Sequence, residues 1–204
     1  MAIEVILFDL GKVLFDFDLN KLASDFAASS STKNYAQISN MLANHWEFIA
    51  EYEKGQISSE NFYRTMAKTL DLKMSCIEFS QSWNNIFTPC PEVIEFAKCL
   101  SSKYNLGILS NTNDLHFEFL KNKYPQVFES FKNHHLSYKM NARKPEKEIY
   151  QKVINFYNIP AEKIFFTDDL DKNIKPAKEL KISAFTFDSL SGLKQNLNLS
   201  GVAF

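Results

Sequence analysis

Two hundred and four residues with 45% apolar content can bury a real core, which excludes a disordered or fibrous chain. Lysine and arginine total 23 against 24 acidic residues, and a net charge of -1 leaves no electrostatic footprint for nucleic acid or acidic membranes, so the expected partner is a small ligand. Cys76, Cys90 and Cys99 are odd in number and lack metal-ligand spacing, which argues against a disulfide framework or a zinc site and reads them as reduced packing residues.

The chain opens on the apolar run Val5-Ile6-Leu7-Phe8, a buried strand that delivers Asp9 into Leu10-Gly11. A carboxylate at a buried strand tip is costly unless it meets a metal or a basic partner or acts as a nucleophile. No basic region precedes this run and no later stretch approaches ~20 uninterrupted apolar residues, so the expected location is the cytoplasm, without a membrane span.

The next short apolar strand, Asn105 to Leu109, comes late, and the stretch between reads as four helices. Leu22, Phe26 and Ala27 mark the first, and Ile38, Met41, Leu42, His45, Trp46 and Ile49 the second, which stops at Gly55. Ser58 or Ser59 caps the third through Phe62, Met66 and Leu70, and Ser75 caps the fourth, which ends before Pro89 and Pro91. His45 and Trp46 read as packing residues of this insert.

From Pro91 onward helices alternate with short strands. A helix over 92–103 precedes the strand to Leu109, a helix over 115–124 and a short segment near Leu136 follow, and a helix over 146–157 leads to strand 164–167. A helix over 174–180, a strand over 184–187 and a last helix around Leu193 complete the pattern, which predicts a Rossmann-like parallel sheet with helices on both faces. The expected division is an α/β core of residues 1–17 and 89–204 and a helical cap of residues 18–88.

Ligands of such sheets bind beyond the carboxyl ends of the strands. Those ends carry Asp9, Ser110-Asn111-Thr112-Asn113 and Asp168-Asp169, and Arg143-Lys144-Pro145 precedes a helix. A hydroxyl and amides at a helix N-terminus suit phosphate oxygens, a lysine suits negative charge, and three carboxylates suit a hard divalent cation, with Mg2+ the natural candidate.

The segments Phe8-Asp9-Leu10-Gly11, Leu109-Ser110-Asn111-Thr112-Asn113, Lys144-Pro145 with Ile149-Tyr150, and Phe165-Phe166-Thr167-Asp168-Asp169 with Asn173 resemble the four ordered motifs of the haloacid dehalogenase superfamily. Within it the chain looks most like small-metabolite phosphatases of the alpha-D-glucose-1-phosphate phosphatase type and the phosphatase domain of soluble epoxide hydrolase. The resemblance implies that Asp9 attacks phosphorus to form an aspartyl-phosphate, and that Ser110, the backbone of Asn111 and Lys144 hold the phosphoryl group. It implies further that Asp9, the carbonyl of Gly11 and Asp169 bind Mg2+, and that Asp168 orients its surroundings.

Gly11 departs from the family pattern, which usually places there a second aspartate acting as general acid. General acid catalysis is worth ~10²–10⁴-fold, so its loss falls hardest on poor leaving groups; acyl and anomeric phosphates suffer least. Asp16 and Asp18 stand as alternative donors, and His116 as a residue able to reach the site. Two competing readings are a metal-independent 2-haloacid dehalogenase, which has no use for Asp168-Asp169, and a catalytically weak phosphate-binding module.

Overall fold

The computed structural model describes residues 2–204. In chain order the elements are β1 (Val5–Phe8), β2 (Phe15–Phe17), α1 (Leu19–Ser29), α2 (Tyr35–Asn44), α3 (Trp46–Glu53), α4 (Ser59–Thr69), α5 (Cys76–Asn84), β3 (Phe87–Pro89) and α6 (Pro91–Ser101). There follow β4 (Asn105–Ser110), α7 (Asp114–Lys123), α8 (Pro125–Phe128), β5 (Asn133–Leu136), α9 (Ser137–Met140), α10 (Lys147–Tyr157), β6 (Ile164–Asp168), α11 (Asp171–Glu179), β7 (Ser183–Thr186) and α12 (Leu190–Leu199).

The five strands β5-β4-β1-β6-β7 form one parallel sheet. β1 is central and every one of its residues is buried, because helices cover both faces and leave no solvent side. Ile6 and Phe8 pack into one apolar cluster with Val93, Phe117 and Leu193, while Val5 and Leu7 point the other way, to Ile149, Val153 and Ile174. This alternation of side chains along a strand is what joins the two helical layers to the sheet. The strand order reverses between β4 and β6 on either side of β1, so Asp9 stands at the switch point where a crevice opens.

The helices α1 to α5, inserted between β1 and β4, gather around a separate apolar cluster that contains Phe26, Ile49, Tyr52, Phe62, Phe79 and Trp83. The second of the four expected helices is in fact two. The chain leaves helical geometry at His45 (φ -100°, ψ 19°), whose N–H bonds the carbonyls of Met41 and Leu42 and whose Nδ1 lies 2.7 Å from Met41 O. The fourth begins with a capping box in which Ser75 and Glu78 satisfy each other's backbone N–H groups. Two short strands not evident from periodicity, β2 and β3, pair antiparallel where the chain leaves and re-enters the sheet region.

Cys76 and Cys99 are exposed rather than packed, and none of the three cysteines is in a disulfide. Among the described residues no helix is long and apolar enough to cross a membrane.

Candidate active site

Asp9 follows β1 directly, its N–H bonded to Thr167 O at 3.0 Å, and its carboxylate turns into the crevice. One oxygen, Oδ1, accepts the N–H of Leu10 at 2.7 Å and lies 3.0 Å from Lys144 Nζ. Lys144 is 1% exposed and its ammonium donates to Leu109 O at 2.8 Å and to Asp168 Oδ2 at 2.6 Å. Burial opposes that charge, but the carboxylates of Asp168 and Asp9 outweigh it and hold the lysine above its ordinary pKa. Burial likewise pushes Asp9 up to about 7, with Lys144 pulling down and Asp168 pushing further up.

The side chain of Asn111 is committed to placing this lysine. Its Nδ2 donates to Lys144 O and its Oδ1 accepts from Lys144 N–H, both at 2.8 Å. Its own N–H has no partner among the described residues, and the buried hydroxyl of Ser110 beside it has only a 3.4 Å approach to Asn111 O. A hydroxyl and an N–H thus stand free at the end of β4, shortly before α7, and both residues line the crevice.

Asp168 and Asp169 are neighbours with different tasks. Asp168 is fully buried; Oδ1 accepts from Leu170 N–H at 2.9 Å and Asn173 Nδ2 at 2.8 Å, and Oδ2 takes Lys144. Three of its acceptor positions are thereby taken, and its main contact is with Lys144. Asp169 is half-buried, accepts no side-chain hydrogen bond among the described residues, and is raised by burial and by Asp168. One carboxylate oxygen from each of Asp9, Asp168 and Asp169 can be chosen so that all lie within 4.8 Å of one another. Three carboxylates against a single ammonium leave an excess of negative charge that a hard divalent cation matches, and the Gly11 carbonyl, unused in the backbone network of the described residues, adds a neutral oxygen. The donor set fits Mg2+.

No acid replaces the one missing at position 11. A Cβ built on Gly11 would meet the Phe17 ring at 3.0 Å, so that ring stands where the side chain would be. Asp16 is exposed and ion-paired with Lys12, whose hydrogen bond holds the carboxyl below its ordinary range and therefore ionised. Asp18 caps α1, accepting from Asn20 and Lys21 N–H. His116 lines the crevice, but its Nε2 lies 3.0 Å from Trp83 O and its Nδ1 3.2 Å from Asn113 Nδ2, and burial lowers it to about 4. It is a neutral packing residue stacked on Trp83.

The crevice widens into a cavity of about 400 Å³ between sheet and insert, lined by Asp9, Gly11, Ser110, Asn111, Lys144 and Asp169 at one end. Trp46, expected in the insert's core, instead lines this cavity and is 49% exposed. Glu53, which carries no marked sequence signal, also lines it. Glu53 of α3 is ion-paired at 2.7 Å to Arg143, which lies over the Trp46 ring. Burial raises the Glu53 carboxyl above its ordinary pKa, and Arg143 offsets only part of that rise.

Residues 3–181 match the haloacid dehalogenase-like hydrolase family. D-ribitol-5-phosphate phosphatase of Bacteroides thetaiotaomicron is 24% identical over 210 residues, covering 97% of this chain and 98% of that protein. A crystal structure of a haloacid dehalogenase family enzyme from the same organism, in complex with magnesium and inorganic phosphate, superimposes with a TM-score of 0.83 at 29% identity over 94% of this chain and 99% of its own. L-2-haloacid dehalogenase of Xanthobacter autotrophicus shares the fold alone, with a TM-score of 0.66 at 17% identity over 99% of this chain and 85% of its own. On its sequence and its fold together, this chain belongs to the haloacid dehalogenase-like hydrolases.

Proposed function

We propose that the protein is a Mg2+-dependent phosphatase that hydrolyses a small phosphorylated metabolite through an aspartyl-phosphate on Asp9. The observation that carries this is the division of labour among the acids: Asp168 is engaged by Lys144, Asn173 and Leu170, while Asp9 keeps one oxygen unengaged and Asp169 is available to a cation. A dehalogenase acting on carbon has no use for Asp169 in that state. The similar proteins add weight, one being named for a polyol phosphate and another crystallised with magnesium and phosphate.

In this reading Asp9, the Gly11 carbonyl and Asp169 hold the cation, which supplies positive charge against the phosphoryl oxygens. Ser110 Oγ and Asn111 N–H bind those oxygens, and Lys144 neutralises charge on Asp9 and on the transferring group. Asp168 positions Lys144. The carboxylate of Asp9 attacks phosphorus in line, the ester oxygen leaves, and water then cleaves the acyl phosphate. Residues 18–88 act as a cap over the crevice, residues 1–17 and 89–204 as the catalytic core. A reducing compartment such as the cytoplasm suits the three free thiols.

The test is phosphate release from a panel of sugar, polyol, acyl and aryl phosphates with Mg2+. Turnover of at least one class is expected, with Asp9→Asn lowering it on the order of 10³-fold or more. Activity that survives Asp9→Asn, or chloride release from 2-haloacids without metal, would replace this reading.

A further inference from the structure

The cavity beyond the phosphoryl end has a chemistry that narrows the substrate. Its walls toward the insert are Leu19, Leu22, Leu42, Trp46, Ile86 and Phe87, with Leu170 at the core side. Leu19, Trp46 and Leu170 are 57%, 49% and 43% exposed, so three of the molecule's large apolar side chains that face solvent do so around this one opening. Scattered exposed leucines need no explanation, but a cluster continuous with a reaction centre marks a surface that a ligand covers.

Some polar groups on the same walls are engaged, whereas Trp83 Nε1, Arg143 Nε and Asn173 Oδ1 have no hydrogen-bond partner among the described residues. Glu53 accepts from Arg143, Asn20 accepts the Tyr35 hydroxyl at 2.8 Å, and His116 is held between Trp83 and Asn113.

The reaction centre sets a second, independent condition. With Gly11 in place of an acid, and Asp16, Asp18 and His116 otherwise occupied, the leaving oxygen must depart without a proton donor at that position. An aromatic hydroxyl meets both conditions, being apolar in body and acidic at its oxygen, with a phenol pKa of about 10.

We propose, resting on the phosphatase reading above, that the substrates are phosphate monoesters of aromatic alcohols whose rings lie against these apolar walls. A carboxylate oxygen of Asp9 bonds to phosphorus as the bond from phosphorus to the aryl oxygen breaks. The aryloxide leaves with the bonding pair and takes its proton from solvent water. A second water then cleaves the acyl phosphate, regenerating the Asp9 carboxylate and releasing inorganic phosphate.

Turnover and affinity must be separated, because aryl esters are intrinsically more reactive. The experiment therefore pairs kcat/KM for 2-naphthyl phosphate and D-ribitol 5-phosphate, with Mg2+, with inhibition by an unreactive naphthylmethyl phosphonate and by inorganic phosphate. The aryl ester is expected to be the better substrate, and the phosphonate to bind at least about tenfold more tightly than inorganic phosphate through its buried rings. Leu19→Ser and Trp46→Ala should each weaken the phosphonate about tenfold or nearly so while inhibition by inorganic phosphate changes less than about twofold. Leu19 makes the test independent of Trp46, whose removal also uncovers Arg143. A higher kcat/KM for the polyol ester, or equal losses for both inhibitors, overturns the aromatic assignment and leaves the phosphatase standing. Release of phosphate from no ester overturns the phosphatase and this inference with it.

Discussion

Lys144 is the residue on which the electrostatics of the crevice turn. It is buried between Asp9 and Asp168 with a carbonyl as its third partner, so its three donors are spent. Lys144→Met is expected to abolish turnover and to destabilise the fold by about 3–5 kcal/mol in metal-free buffer, since it strands two buried carboxylates; urea denaturation measures the loss. A variant as stable as the parent would show that Asp9 and Asp168 are not jointly ionised. Gly11 invites the opposite experiment. Gly11→Asp should make the rate less sensitive to leaving-group acidity, provided Phe17 gives way, so Phe17→Leu is the background in which to read it. Asp9 could be singled out from the sequence because a carboxylate at the end of a buried strand is costly. The partners of Asn111 could not, because an amide that binds another residue's backbone has no pattern along the chain.

At the scale of elements, capping and turns decide where the insert sits. Gly55, at φ +72°, carries the chain from α3 toward α4, and a Cβ there would be driven onto the Tyr138 carbonyl oxygen of α9. Gly55→Ala is therefore expected to cost more than the ~1 kcal/mol of a left-handed alanine and to loosen the seam between insert and sheet. Thermal melting together with proteolysis near residue 55 reads both effects, and an unchanged melting temperature would refute the tight approach. The same seam holds Ser137, whose hydroxyl donates to Glu53 O at 2.5 Å, and the Glu53–Arg143 pair. Periodicity located the helices of the insert because each has an apolar stripe to bury. It merged α2 and α3, since the apolar spacing runs on through His45 while the hydrogen bonding does not.

For the whole molecule, proton and metal linkage give two measurable consequences. Burial lowers His135 to about 4 from an ordinary value of 6.5, with His134 adding to the effect. The folded state therefore prefers the neutral ring: its contribution is complete above pH 6.5 and is lost as pH falls toward about 4, amounting to about 3 kcal/mol. His135→Phe should flatten the acid limb of stability against pH, and an unchanged limb would mean that the ring titrates normally in the fold. Mg2+ should raise the melting temperature by mass action, about 2.7 kcal/mol at a hundredfold excess over its dissociation constant, and Asp169→Asn should remove most of that shift. Equal shifts in the two proteins would place the cation elsewhere.

Sequence alone determined the alternating α/β core, the helical insert and the chemistry-bearing residues at the strand ends, because the first two follow from local periodicity and the last from the cost of burying charge. The tertiary structure decided what no spacing encodes. It engaged Asp168 with Lys144 and left Asp169 available, set Phe17 against Gly11, and turned Trp46 out of the insert's core into an apolar cavity beside Asp9. Those outcomes depend on which side chains meet across residues far apart in the chain, and such meetings are settled by packing rather than by propensity.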